Sequence, residues 1–324
     1  MKKIISTPKE TSFLLPTSEW FTFFQGFPKS LGDWRISVSN GFSGLEKRAC
    51  FTMFGHPIPE TFLTFSGVNV DLKFLSHWHR VEVEDNSTLS FYDHKGGLIL
   101  TLSLKGGFGA AFENSFPEPE KQVGVLEDST VSVRDVFTRE SLESEFSTFR
   151  DYHKEDIFFS TKPITRAEAY ATLNGTDYVK EVTLGSVFKF LNAAVSKRQL
   201  AIPFVRNLGC QESLAGQLIS IQGDSDEFSI GISSFYSSDG KMAYPNESKK
   251  LTQDLGTLTV DFRDPSLRAF LIQLKTNPAK NEVRSTIYVV DSGINFFGIF
   301  SFNPTSNAPD TKEWNGLLEN LKLI

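Results

Sequence analysis

Cysteine is scarce in this chain of 324 residues, whose two thiols are Cys50 and Cys210. They are too far apart for a Cys-x-x-Cys spacing, so neither a disulfide framework nor a zinc knuckle is expected. Apolar runs long enough to span a membrane are absent, and Thr7 and Pro8 interrupt the N-terminus before a signal peptide could form. These absences favour a cytoplasmic protein with reduced thiols.

An excess of basic residues is also lacking. The chain carries 33 Lys and Arg against 39 Asp and Glu, which gives a net charge of −6 and a pI near 5.5. A globally basic nucleic-acid coat is therefore excluded, although a local basic surface can exist on an acidic protein.

Phenylalanine is abundant: the chain has 31 Phe against 7 Tyr and 4 Trp. Many alternate along the sequence, such as Phe21 with Phe23, and aromatic residues at every second position favour half-buried strands. With 40% hydrophobic and 22% charged residues, the composition is that of a globular, β-rich protein.

A short amphipathic segment followed by strand-like runs recurs four times. The predicted units begin near Ser12, near Val68, at Leu184–Val195 before Gln217–Tyr236, and at Pro265–Lys275 before Val283–Phe302. In the third segment, apolar residues from Leu184 to Val195 recur at helical spacing behind a Thr183 cap. Asp264-Pro265 provides a cap and first-turn residue for the fourth. Four helices are therefore predicted.

The repeats predict four segments of the chain. Residues 1–110 and 179–306 are expected to be domains, 111–178 a connecting or inserted segment, and 307–324 a tail with a short helix. Trp314, Leu317, Leu318 and Leu321 form the apolar stripe of that helix, which would pack on the same chain or dock on a neighbouring protein.

Three motifs suggest chemistry but lack the required partners. His77-Trp78-His79 lies in the second predicted helix, where the two imidazoles would point to different sides, so no metal site is expected. Gly41-Phe42-Ser43-Gly44 is not a nucleophile elbow, and Gly106-Gly107-Phe108-Gly109 lacks the Lys of a phosphate loop. No catalytic residue, cofactor or metal is predicted.

The stretch Val195-Ser196-Lys197-Arg198-Gln199-Leu200-Ala201-Ile202-Pro203-Phe204 resembles the opening of a domain in bacterial DNA polymerase sliding clamps. Gln217–Asp224 and Thr257–Phe262 are similar to later strands of such a domain. The resemblance covers roughly 182–303 well and 12–104 loosely. It implies an α+β, β-rich fold with two clamp-like domains, a non-catalytic ring around duplex DNA, and a polymerase or other replication protein as partner. Four repeats give two domains, which favours a homotrimer.

A clamp requires basic helix faces toward DNA. The residues that this resemblance assigns to DNA binding without sequence specificity are Lys73, His77, Arg80, Lys189, Lys197, Arg198, Arg268, Lys275 and Lys280. Two other interpretations remain open: an all-β sandwich with peripheral helices, acting as a structural or virion assembly protein, and an enzyme whose site is assembled from distant residues.

Overall fold

The chain forms two compact units. The computed structural model describes residues 9–14, 24, 34–49, 62–65, 68–83, 86–105, 179–207, 209–234, 255–277, 282–291, 295–301 and 310–324. Unit 1 comprises Met1–Val131, Val205–Leu214 and Ile232–Leu258, and unit 2 comprises Ser132–Phe204, Ala215–Gly231 and Thr259–Ile324. The predicted boundaries at 110, 178 and 306 stay a prediction.

Unit 1 is built from antiparallel strands. They are β1 (Lys9–Leu14), β2 (Trp34–Ser39), β3 (Ser43–Ala49), β4 (Phe62–Phe65), β5 (Val68–Asp71), β6 (His77–Val83), β7 (Asn86–Tyr92), β8 (Leu98–Lys105) and β11 (Cys210–Ser213). A 3-10 turn at Leu72–Phe74 precedes β6. The strand order in the main sheet is β1, β6, β7, β8, β2, β3. Strand β5 pairs with β4 and with β11.

In the residues that the structure describes, unit 2 combines strands with two helices. Its elements are β9 (Val179–Val182), α1 (Leu184–Ser196), β12 (Gly216–Gly223), β15 (Arg268–Asn277), β16 (Glu282–Val290), β17 (Phe296–Ser301) and α2 (Asp310–Leu318). Strands β10 (Leu200–Arg206), β13 (Glu227–Ser234) and β14 (Leu255–Asp261) contribute residues to both units. The sheet of unit 2 is ordered β9, β15, β16, β17, β10, β12.

The two sheets repeat one plan. In each, the first strand of the unit pairs with the first strand of a three-strand meander: β1 with β6, and β9 with β15. The second strand of the unit pairs with the last strand of that meander: β2 with β8, and β10 with β17. The last hairpin turns the same way, because Asp93 N donates to Gly97 O (2.9 Å) and Asp291 N donates to Asn295 O (3.1 Å). The described fold is thus a twofold repeat, not the predicted fourfold one.

The third predicted helix is confirmed as α1. Thr183 caps it, since its hydroxyl accepts a hydrogen bond from Ser186 N at 3.3 Å. Val187, Phe190, Leu191 and Ala194 bury one stripe, and Phe190 packs edge-on against Trp314 of α2 with ring centroids 4.9 Å apart. The C-terminal helix is also confirmed.

Two other predicted helices are wrong. The segment after Asp264 makes one turn and then becomes strand β15, because apolar side chains from Leu267 to Ile272 cover both of its faces, as in a central strand. The segment after Val68 forms β5, the 3-10 turn and β6 instead of a helix. The first predicted helix lies outside the described residues except for helical Phe24, whose ring packs on Phe91 at 5.3 Å.

The expected β-rich character is confirmed, whereas the α+β architecture of repeated helix-plus-strands clamp units is wrong. Antiparallel strands dominate both units, and α1 and α2 are short. Among the described residues, no helix is long and apolar enough to cross a membrane. The predicted strands in 34–39, 88–92, 98–104, 283–290 and 296–302 are present, with shifts of a few residues at their ends.

Candidate functional site

One side of the unit 2 sheet carries a continuous set of apolar side chains, here called the aromatic face. Its members are Val179, Ile202, Phe204, Phe270, Ile272, Tyr288, Val290, Phe296 and Phe300. All are buried except Ile202, which is partly buried. Because alternate residues of a strand point to the same side, these residues lie together while their neighbours in sequence face α1 and α2 or the opposite side.

Strand register sets the pattern of the aromatic face. Phe270 of β15 lies opposite Tyr288 of β16, and Tyr288 lies opposite Gly298 of β17. In the neighbouring row, Ile272 pairs with Thr286, and Thr286 pairs with Phe300. Phe270 and Tyr288 are thus directly opposite each other on adjacent strands, which places their Cβ atoms about 4.5–5.5 Å apart.

Gly298 makes room for the ring of Phe204. A Cβ atom at residue 298 would lie 2.1 Å from Cζ of Phe204, so any larger side chain would displace the ring. Phe204 in turn contacts Tyr288, Phe296 and Phe300 at centroid distances of 5.6, 6.1 and 6.2 Å. The tilted and edge-on ring geometries are the favoured ones for aromatic clusters.

Arg268 and Glu181 form an ion pair at one end of the aromatic face. The Arg268 guanidinium donates to both carboxylate oxygens of Glu181, at 2.7 and 2.5 Å, and lies 5.2 Å above the ring of Phe270. Two parallel hydrogen bonds and a ring contact fix the guanidinium plane. The side chains of Arg268 and Glu181 are 33% and 20% exposed, so this end is the more polar part of the face.

The corresponding face of unit 1 is polar. Asp93 and Asp291 end equivalent strands, so Ser90 corresponds to Tyr288, each lying three residues before its aspartate. His79 pairs with Ser90 just as Phe270 pairs with Tyr288. Across the sheet of unit 1, a single row of this polar face runs His79, Ser90, Thr101, Ser37 and Glu46.

A histidine pair lies at the edge of the polar face. His77 is 6% exposed and its ring stacks on Tyr92, with centroids 5.2 Å apart and planes 9° from parallel. Burial lowers the pKa of His77, the nearby Asp93 carboxylate raises it, and His79 lowers it. His77 is therefore within electrostatic range of both Asp93 and His79.

A buried ion pair sits in the core of unit 1. Lys47 Nζ lies 3.6 Å from Glu212 Oε1 and donates to Ser213 O at 2.7 Å, while Glu212 Oε2 accepts from Val38 N at 3.1 Å. Burial raises the pKa of Glu212 to about 8 and lowers the pKa of Lys47, and their mutual attraction only partly offsets this. Burial also raises the pKa of the Cys210 thiol, which is free. Such a thiol is inert.

The residues predicted to bind DNA do not share helix faces. Lys73 lies in the 3-10 turn and pairs with Asp71 at 3.2 Å, while His77 and Arg80 lie on β6, where an odd spacing puts them on opposite sides. In unit 2, Lys189 is exposed on α1, Lys197 pairs with Glu313 at 3.8 Å, and Arg198 ends the helix. Arg268 and Lys275 lie on strand β15, and Lys280 lies outside the described residues.

Sequence reasoning missed the aromatic face as a site. The alternation of Phe296 with Phe300 was a signal, and it predicted a strand without showing which strands would join it. The helix predicted at 265–275 placed Phe270 in a buried stripe instead of opposite Tyr288. Among the described residues, no three His, Cys, Asp or Glu side chains cluster so as to hold a metal ion.

Solved structures share this fold. The heme-binding protein PhuS from Pseudomonas aeruginosa, in its apo form, matches with a TM-score of 0.65 and 12% identity over 97% of this chain and 88% of PhuS. Escherichia coli ChuS, described as a heme oxygenase, matches with a TM-score of 0.61 and 14% identity over 96% of this chain and 89% of ChuS. At these identities the likeness establishes the fold alone. No protein-family model and no curated protein matches the sequence.

The sliding-clamp resemblance is wrong. The chain instead shares its fold with PhuS and ChuS over 97% and 96% of its length. The predictions that depended on it fall with it: a DNA-encircling trimer, a polymerase partner, and DNA replication as the process. The alternative of a sandwich-type structural or virion protein gains no support. The expectation that the chain is not an enzyme loses its basis in the clamp resemblance, and ChuS, which shares the fold, is described as a heme oxygenase.

Proposed function

We propose that this protein binds heme on the aromatic face of unit 2. The observation that carries the proposal is the set of buried aromatic rings on that face, on a fold shared with a heme-binding protein and a heme oxygenase. A heme needs a flat apolar surface for its ring and polar groups for its two carboxylates. The aromatic face supplies the first, and its polar end at Arg268 and Glu181 supplies a charged border.

The dimensions of the aromatic face suit a tetrapyrrole. Strands β15, β16, β17 and β10 are neighbours, and four strands at the usual spacing span about 14 Å, which is comparable to a porphyrin ring. Ligand sites are mostly apolar and aromatic with a few polar groups, which is the composition found here. A porphyrin packed against these rings gains van der Waals contacts with them, which are individually small and collectively large.

Tyrosine and histidine side chains of this chain are the candidates that would hold the heme iron. Tyr288 brings a phenol oxygen to the middle of the aromatic face, and tyrosine is one of the residue types that hold heme iron. The histidines of the chain are His56, His77, His79, His94 and His153. His56 and His153 lie outside the described residues. The bound spectrum distinguishes the two ligand types.

The test is a hemin titration followed by the Soret band. We expect saturable binding by the wild-type protein and at least about a tenfold weaker affinity for Tyr288→Ser, because the loss of one buried ring costs roughly 1.5–3 kcal/mol. The matched control is Ser90→Ala, at the corresponding position of unit 1, which should bind as the wild type does. Single His→Ala variants then identify an imidazole ligand by loss of its spectral signature.

Absence of any Soret shift in the folded wild-type protein would refute the proposal. Equal loss of affinity in Tyr288→Ser and Ser90→Ala would place the site elsewhere. Circular dichroism of each variant verifies that it is folded, and Phe300→Leu, which keeps an apolar side chain, provides a milder change at the same face.

Oxidative degradation of the bound heme is a second candidate, favoured by the shared fold with ChuS. Its test uses the heme-loaded protein with a reductant and oxygen: Soret decay with release of iron supports it, and a stable spectrum under turnover conditions opposes it. We place either function in the cytoplasm, an assignment supported by the buried free thiol of Cys210.

A further inference from the structure

Strand β6 places His77 and His79 on the same side of the unit 1 sheet. A helix would have separated the two imidazoles, but residues two apart on a strand point the same way. Their Cα atoms are then about 6.7 Å apart, a gap that two imidazole side chains can close around one ion. The pairing of His77 with Tyr92 and of His79 with Ser90 fixes both positions.

The surroundings of His77 hold its ring in place. The Tyr92 ring stacks on it, which restricts its rotation and leaves the in-plane nitrogen atoms uncovered by that ring. Asp93 is 1% exposed, and its Oδ2 has no hydrogen-bond partner among the residues that the structure describes, whereas its Oδ1 accepts from Lys95 N and Gly97 N at 2.8 and 2.7 Å. Thus one oxygen shapes the turn and the other is a buried acceptor near His77.

We propose that His77 and His79 bind a divalent late transition-metal ion, with copper(II) the most strongly held. A metal-bound histidine usually donates its second ring N–H to a carboxylate, and the buried Oδ2 of Asp93 is an acceptor of that kind. The structure assigns Asp93 as a positioning residue that orients His77, while the two imidazoles provide the coordinate bonds.

The two imidazole nitrogen ligands of His77 and His79 determine which metal ions the site prefers. The described residues hold no cluster of three or more metal-ligating side chains, so water or an added ligand completes the coordination. Imidazole suits copper, nickel and zinc, and copper(II) stands highest in the usual order of divalent affinities. A closed structural zinc site needs four protein ligands and is not this site.

Access to the site is from the side of His79. His77 is buried, but His79 is partly exposed at the neighbouring position of the same strand face. An ion can therefore bind His79 first and His77 beneath it. The site lies in unit 1 and does not depend on the heme proposal.

The test is copper(II) titration of the heme-free, chelator-treated protein, followed by calorimetry and electron paramagnetic resonance. We expect one ion per chain with hyperfine structure from two imidazole nitrogens, and at least about tenfold weaker binding for His79→Gln. Asp93→Asn should weaken binding by a similar factor, since loss of the orienting carboxylate costs about 10–100-fold. His94→Gln, in the exposed turn after β7, is the matched control and should bind as the wild type does.

Failure of His79→Gln to change either the affinity or the nitrogen signature overturns the proposal. Equal weakening by His94→Gln overturns it too, because it would indicate nonspecific surface binding. His79 is partly exposed, so its variant is expected to fold even if variants of the buried His77 and Asp93 do not; thermal melts monitored by circular dichroism verify this.

Discussion

Glu212 keeps its carboxyl group inside unit 1, where it links strand β11 to the backbone of β2 through Val38. Burial disfavours the charged form, so its pKa rises from 4.5 to about 8. Between these values the folded protein retains a proton that the unfolded chain releases. The contribution of Glu212 to the free energy of unfolding is fully present below pH 4.5 and is lost as the pH rises toward 8.

Glu212→Gln should abolish that dependence. The amide keeps an oxygen acceptor for Val38 N and cannot titrate, so the free energy of unfolding of the wild type relative to the variant should fall between pH 5 and pH 8. The limiting slope is about 1.4 kcal/mol per pH unit. Burial lowers the pKa of Lys47, so this group contributes with the opposite sign as the pH rises toward 10.5.

Denaturant unfolding at pH 5, 6.5 and 8 measures this difference. A difference that stays constant across the three values would show that Glu212 does not titrate in this range. Asp226→Asn, which replaces an exposed carboxylate in the turn between β12 and β13, is the control substitution and is measured at the same three pH values.

Helix α1 ends on a residue with an unfavourable backbone conformation. Arg198 has φ of 50°, in the left-handed region that glycine adopts more readily, and two bonds close the helix there: Arg198 N to Val195 O and Gln199 N to Ala194 O, both at 2.9 Å. Most helices that end in this way use glycine at the equivalent position.

Arg198→Gly should stabilise the protein by roughly 0.5–1 kcal/mol, because relief of the left-handed conformation outweighs the added freedom of the unfolded chain. The melting temperature should rise by about 1–3 °C. Ser196→Gly, in the helical last turn of α1, is the control and should lower it, since glycine inside a helix costs about 1 kcal/mol. A lower melting temperature for Arg198→Gly would contradict this account.

Helices and strands of this protein differ in how far their own residues determine their secondary structure. The cap at Thr183 and the 3.6-residue apolar spacing of α1 are local signals, so that helix was predictable. Strand β15 was not, because its apolar residues fit a helical stripe as well as a strand buried on both sides. The pairing of β15 with β9 and β16 resolved the ambiguity, and those partners lie far apart in sequence.

Both units pair their strands in the same order, but the corresponding faces of their sheets differ in polarity. At corresponding positions, unit 2 has Phe270 and Tyr288 where unit 1 has His79 and Ser90. We therefore expect one heme per chain, bound in unit 2, because the hydroxyl-rich face of unit 1 would lose its hydration to an apolar ring. The titration end point measures this number, and two equivalents of similar affinity would contradict it.

The sequence by itself determined the β-rich character, the position of α1, the C-terminal helix and most strands of the last hairpins, because alternation and capping act over a few residues. The tertiary structure alone decided which residues meet. Phe204, Phe270, Tyr288 and Phe300 come together through strand pairing, as do His77 and Tyr92, and packing brings Lys47 to Glu212. The register of a strand depends on pairing with residues far away in sequence. When a segment forms a strand instead of a helix, different side chains share a face.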